Sequence, residues 1–280
     1  MIIDIHTHIG VVKSWSNYLR GYVKAGLLDL LAYMDDVGVN VVVLLPLPGI
    51  VETDSRIVST EEAIKIARKC ADRVIPFCAI DPRVPRAEEK IKKYVRMGCK
   101  GLGEYKVKMR IGNTLSLKLY KVCSELEIPI LIHMDSRFNP DIYEFIKVLE
   151  EVPDAIFIMH GPGWWKHISK EVDDSVEYPK GKVIPGGLVE KILKEYKNVY
   201  ADISAYSGLN ALERDPKYTR EFLEKFSTKV LYGTDFPCIA RLGNQYGPNR
   251  EHLNLLLNQK ISKQALERIL YKNAMKLLDL

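Results

Sequence analysis

The sequence has no Cys-x-x-Cys pair, no glycine-rich first turn, no long apolar run and no block of one charge, and each absence removes a class of protein. Its five cysteines, Cys70, Cys78, Cys99, Cys123 and Cys238, are odd in number and scattered. That spacing excludes both a paired disulfide framework and a zinc ribbon, and points to a reducing, cytoplasmic setting. No window reaches the roughly 18 uninterrupted apolar residues of a membrane span. The opening Met-Ile-Ile-Asp-Ile-His reads as strand, without the pattern of a secretion signal. The 41 Lys and Arg residues are interspersed with 36 Asp and Glu, so the net charge of +5 forms no tail or run. The expectation is a small-molecule substrate, with neither nucleic acid nor membrane as partner and with homo-oligomer formation left open.

What is present is an alternation. Short apolar, β-branched runs recur at Ile2–His6, Val39–Leu45, Val74–Ile80, Gly101–Tyr105, Ile128–His133, Ala155–His160, Val199–Ile203 and Lys229–Tyr232. Amphipathic stretches fill the gaps: Leu27–Val37, Ser59–Ala71, Arg86–Met97, Thr114–Leu126, Asp141–Glu151, Leu188–Tyr196, Tyr218–Phe226 and the closing Gln264–Leu278. Eight strands alternating with eight helices, in a chain close to the roughly 250 residues typical of the fold, predict an α/β protein: a (β/α)8 TIM barrel occupying residues 1–280 as a single domain. An open dinucleotide-binding sheet would need the missing glycine turn. Two connections, Gly161–Gly187 after the sixth strand and Ser204–Lys217 after the seventh, exceed the usual length and are expected as extended loops beside a pocket.

The histidines are not scattered. His6 and His8 end the first run, where the two-residue period of a strand predicts that Asp4, His6 and His8 face one side. His133 ends the fifth run and His160 the sixth, so four of six histidines fall at strand C-termini, the barrel face that carries active sites. Imidazoles converging there suit a divalent ion: zinc first, with Mn, Fe, Ni or Co also compatible. Asp235 follows the eighth run, where a carboxylate can ligate a metal and also carry a proton. On the fourth strand Glu104 or Lys106 could bridge two ions, the lysine only if carbamylated; Glu104 needs no modification.

This set, His-x-His on strand one, an acidic residue or Lys on strand four, histidines ending strands five and six and Asp ending strand eight, resembles the amidohydrolase superfamily. The closing Asn273-Ala-Met-Lys-Leu-Leu resembles the terminal helix of its amidohydrolase-2 branch. The resemblance implies a metal-dependent hydrolase using activated water, with Asp235 as general base. In a two-ion form His6, His8 and Asp235 would hold one ion and His133 and His160 the other, bridged by Glu104. In a one-ion form His6, His8, His133 and Asp235 would bind the metal and His160 would act as acid/base or polarise the substrate. Branch members also include nonoxidative decarboxylases of aromatic or unsaturated acids, and a barrel that binds metal without catalysis is a third alternative.

Substrate-binding candidates are the cations Lys106, Lys108, Arg110, Arg137 and Arg241 and the aromatics Trp164, Trp165 and Tyr206, all placed after strands. Cations there would favour a carboxylate- or phosphate-bearing substrate. Cys238, near Asp235 but without a base partner, reads as packing.

Overall fold

A computed structural model describes residues 1–13, 22–49, 55–237 and 250–280. Cys238 and Arg241 lie outside these residues. The eight apolar runs form eight parallel strands: β1 (Ile3–Thr7), β2 (Val41–Leu44), β3 (Val74–Pro76), β4 (Leu102–Tyr105), β5 (Ile130–His133), β6 (Phe157–His160), β7 (Val199–Asp202) and β8 (Val230–Leu231). β1 to β3 pair in chain order, as do β4 to β8. Backbone hydrogen bonds then join the two arcs at both edges. The Cys78 amide donates to the Gly101 carbonyl (2.9 Å) and that of Gly103 to Cys78 (2.8 Å), linking β3 to β4. Ile5 donates to Tyr232 (3.1 Å) and Asp235 to His6 (2.8 Å), linking β8 to β1. The sheet is thereby a closed (β/α)8 barrel, with no open edge among its eight strands.

Two apolar layers hold it. Inside, Ile3, Ile5, Val43, Leu45, Ile75, Phe77, Leu131, Ile158 and Leu231 fill the lower lumen, and Ala274 and Leu278 of the closing helix stop its base. Outside, alternate strand residues such as Val42, Leu44, Ile130, Ile132 and Phe157 pack against the ring of helices. Helix starts follow local chemistry. Ser59 and Glu62 form a reciprocal capping box at Thr60–Lys69, and Asp141 caps Ile142–Glu151 by accepting from two backbone amides.

Three features depart from the sequence expectation. The connection after β7 is no loop: Ala205–Glu213 and Pro216–Lys225 are consecutive helices. The first turns tightly after Ile203, and Gly208 is required because a Cβ there would overlap the Ile203 carbonyl. A small antiparallel sheet, formed by Gly10–Lys13, Tyr22–Ala25 and Arg56–Ile57, occupies connections after β1 and β2. Finally, Asp4 does not share a side with His6 and His8. Its carboxylate accepts from Tyr33 of the surrounding helix Leu27–Val37 (2.8 Å) and from the Thr234 amide (3.1 Å) and hydroxyl (2.6 Å), while Ile3 and Ile5 point into the lumen. The pairing of β1 with β2 shifts between Asp4 and Thr7, which breaks the two-residue alternation and turns His6 inward.

Candidate metal centre

The sequence places four histidines at strand ends, and the fold brings them together at one mouth. His133 and His160 are register partners on β5 and β6. The ring of His160 lies 4.5 Å from that of His6 and 5.2 Å from that of His133. Asp235 reaches the same point from the turn after β8, its Oδ1 lying 3.4 Å from His6 Nε2 and 3.2 Å from His8 Nε2. Glu104 sits between the two histidine pairs. Its Oε2 is 3.6 Å from His8 Nε2, and its Oε1 is 2.7 Å from His133 Nδ1 and 4.0 Å from His160 Nε2.

Each ring is held from behind. His8 Nδ1 donates to the Leu45 carbonyl (2.8 Å), His6 Nδ1 to Asp202 Oδ2 (2.7 Å) and His133 Nε2 to Asp135 Oδ2 (2.9 Å), while His160 Nδ1 lies 2.8 Å from the Ser204 hydroxyl. A carbonyl or carboxylate only accepts, so the outer nitrogen of His6, His8 and His133 carries a hydrogen, and the same rule puts a hydrogen on the inner Nδ1 of His133, which faces Glu104 Oε1 at 2.7 Å. Orientation of ligating imidazoles by such outer acceptors is the usual arrangement in metal sites. It sets the Nε2 atoms of His6 and His8 facing each other at 3.1 Å, with the Asp235 carboxylate beside them. Electron pairs at that distance repel unless a proton or a metal ion lies among them, so the donor set fits a divalent ion. Two groups of donors meet the geometry for one: His6, His8 and Asp235, and His6, Glu104 and His160.

The electrostatics agree. Burial lowers the His6 pKa, but the carboxylates of Asp235 and Asp202 outweigh it and raise it to about 9. For Asp235 burial opposes ionisation, and His6 and His8 more than offset it, holding the carboxyl well below its ordinary range. Glu104 is likewise held down against burial, by Lys106 and His133. His160 is pushed to about 3 by burial and by the charge on His6, so its ring is neutral. Anionic carboxylates thus surround a neutral His160 ring and a His6 ring that, without an ion, holds a proton on each nitrogen.

The rim sorts the other candidates. Lys106 lies 3.8 Å from Glu104 and above the Phe138 ring, and Arg137 stacks on the same ring, which is edge-on to His133. Tyr206 receives a hydrogen bond from Lys180 (2.9 Å) and packs beside Tyr178. Arg110 turns outward to Glu144 and Asp141. Trp164 is fully buried against Phe145, and Trp165 donates its indole N–H to the Asp202 carbonyl. Both tryptophans therefore belong to the layer behind the strands. Sequence reasoning missed Asp135, Asp202 and Ser204. Asp202 had a signal: a carboxylate closing the otherwise apolar β7 at the catalytic face.

A family model described as amidohydrolase matches residues 3–280. No curated protein sequence matches. Among solved structures, the chain is similar to an uncharacterised TIM-barrel protein from Bordetella bronchiseptica (TM-score 0.70, 17% identity, covering 99% of this chain and 98% of that one). It is also similar to a probable 2-pyrone-4,6-dicarboxylic acid hydrolase from Acinetobacter baumannii (TM-score 0.67, 14% identity, 100% and 99%) and to a 2,6-dihydroxybenzoate decarboxylase from Rhizobium (TM-score 0.57, 15% identity, 99% and 98%). At such identities the likeness is one of fold.

Proposed function

The chain belongs to the amidohydrolase family, and from that premise we propose that it is a metal-dependent hydrolase acting on a small carboxylate-bearing substrate with a C–O or C–N bond to cleave. The observation that carries this reading is the convergence of the inner ring nitrogens of His6, His8, His133 and His160 with Asp235 and Glu104 at the barrel mouth. His6, His8 and Asp235 would hold one divalent ion, zinc foremost. His133 and His160 would hold a second, with Glu104, which lies between the two histidine pairs, available to both. An ion in such a site lowers the pKa of a bound water from about 16 to about 7.

The protein's own groups supply the rest. Asp235 is the most exposed member of the cluster, with a side chain 21% exposed against 10% for His133 and 5% for Glu104. As an ionised carboxylate open to the substrate side, it accepts the proton of the attacking water and returns it to the leaving group. Lys106 and Arg137, flanking Phe138, bind the substrate carboxylate over an aromatic floor. A decarboxylase is the second reading, favoured by the likeness to the Rhizobium enzyme.

Metal-loaded protein assayed in parallel on lactones, including 2-pyrone-4,6-dicarboxylate, and on 2,6-dihydroxybenzoate separates the readings. Ring opening with proton release and no CO2 supports the hydrolase. CO2 evolution replaces it with the decarboxylase. A stoichiometric metal complex inert toward every ester, lactone, amide and acid offered would leave a barrel that binds metal without catalysis.

A further inference from the structure

Behind the centre, four polar groups from three strand ends form one connected unit. Asp202 closes β7 with its carboxylate fully buried, Oδ1 accepting from the Ser204 amide (2.8 Å) and Oδ2 from His6 Nδ1 (2.7 Å) and the Ser204 hydroxyl (2.7 Å). Both oxygens are thus committed to donors. Because the Ser204 hydroxyl spends its single hydrogen on Asp202, its oxygen can only accept from the remaining neighbours. Those are His160 Nδ1 at 2.8 Å and, more weakly, His6 Nδ1 at 3.0 Å. Hydrogens therefore run from His160 to Ser204 to Asp202, and from His6 to the same oxygen of Asp202. Ser204 and the His6 and His160 rings are themselves buried, so no water competes for these bonds.

From this geometry we propose that Asp202 and Ser204 act as a single positioning unit that holds Nδ1 of both His6 and His160 as hydrogen-bond donors, turning Nε2 of each toward the centre. The inference rests on the metal-centre reading for its purpose, but the Nδ1 hydrogens themselves are properties of the metal-free chain. It also assigns His160 a role: a ring locked as Nδ1–H is a ligand or proton acceptor at Nε2 and has no proton there to donate.

Long-range 1H–15N correlation spectra of histidine-labelled, chelator-treated protein test it, with zinc affinity measured by competition against a chromophoric chelator. The wild type should show His160 as the Nδ1–H tautomer and His6 protonated at Nδ1. Asp202→Asn cannot present acceptors at both ends of its side chain, so His6 should shift toward Nε2–H and zinc affinity should fall about 10- to 100-fold. Ser204→Ala should release the His160 tautomer while leaving His6, which keeps its direct bond to Asp202, protonated at Nδ1. Should Asp202→Asn fail to fold by circular dichroism, Ser204→Ala decides alone. Unchanged tautomers in folded Ser204→Ala, or His160 protonated at Nε2 in the wild type, overturn the proposal. Wild-type protein with the expected tautomers but no zinc binding would instead overturn the metal reading and leave the positioning unit intact.

Discussion

Asp235 and Glu104 are carboxylates of one cluster, yet their surroundings assign them different work. Asp235 adopts a left-handed backbone (φ 62°) that swings it from the β8 turn to the edge of the site, where one oxygen faces His6 and His8 and the side chain stays partly open. Asp235→Asn keeps a carbonyl oxygen for the same two rings but cannot take up a proton. We expect kcat to fall at least about 10²-fold, with metal content by mass spectrometry largely retained; turnover near the wild-type value would remove Asp235 as the base. Glu104 is shut in and divides its two oxygens between His8 on one side and His133 and His160 on the other. Glu104→Gln should therefore lower the metal stoichiometry from two to one, because the amide retains one acceptor oxygen and turns a donor to the other pair. An unchanged count per chain would show that Glu104 bridges nothing.

Between neighbouring elements, the seam from β8 to β1 has the most at stake, since it both closes the barrel and aims His6. Asp4 fastens it, accepting from Tyr33, from Thr234 and from the His6 amide (3.0 Å). Burial raises its pKa from 3.8 to about 6 despite these donors. A carboxyl whose folded pKa lies above its unfolded one binds more protons in the native state, so stability falls as pH rises from about 4 to about 6. The loss is on the order of 3 kcal/mol once both forms are ionised. Asn at this position can keep one oxygen for the two backbone amides and donate to the Tyr33 and Thr234 hydroxyls, which rotate to accept. Urea unfolding of Asp4→Asn and wild type across pH 4–7 should show the variant gaining relative stability by about that amount; a pH-independent difference would assign the seam's stability to other groups. This seam also marks the limit of what the sequence discloses. The strands were legible because each is an apolar run fully buried in the barrel wall, and His133 and His160 because a histidine closing such a run stands out. Asp4 was misread because a local register shift, invisible to a two-residue pattern, decides which way its side chain points. Helix Ala205–Glu213 was hidden because Ser-Ala-Tyr-Ser-Gly is loop-like on its own, and its fold depends on Gly208 packing against Ile203. The joint role of Asp202 and Ser204 became visible only once β6, β7 and β1 were brought together, since their partners His6 and His160 are remote in the chain. Asp135, by contrast, lies two residues from His133 and was passed over because its run had already ended.

The closed barrel commits the molecule to holding carboxylates close together at one end. Asp135, Asp202, Asp235 and Glu104 are all held below their ordinary carboxylate pKa range, largely by the histidines they face, with Lys106 also acting on Glu104. The apolar lumen and the helix ring stabilise the fold regardless of what occupies the mouth, so folding need not await a metal. A divalent ion that binds the assembled site and not the unfolded chain adds RT ln(1 + [L]/Kd), about 2.7 kcal/mol at a hundredfold excess over Kd. For a chain of this size that corresponds to a melting-temperature rise of roughly 5–10 °C. Chelator-treated protein should thus remain folded by circular dichroism, melt lower by that margin and recover on addition of zinc. His8→Ala removes one of the facing ring nitrogens without touching the apolar layers, and its melting temperature should respond little to either treatment. Chelated wild type that unfolds outright would make the ion part of the fold. A His8→Ala variant stabilised by zinc as strongly as wild type would place the binding site elsewhere.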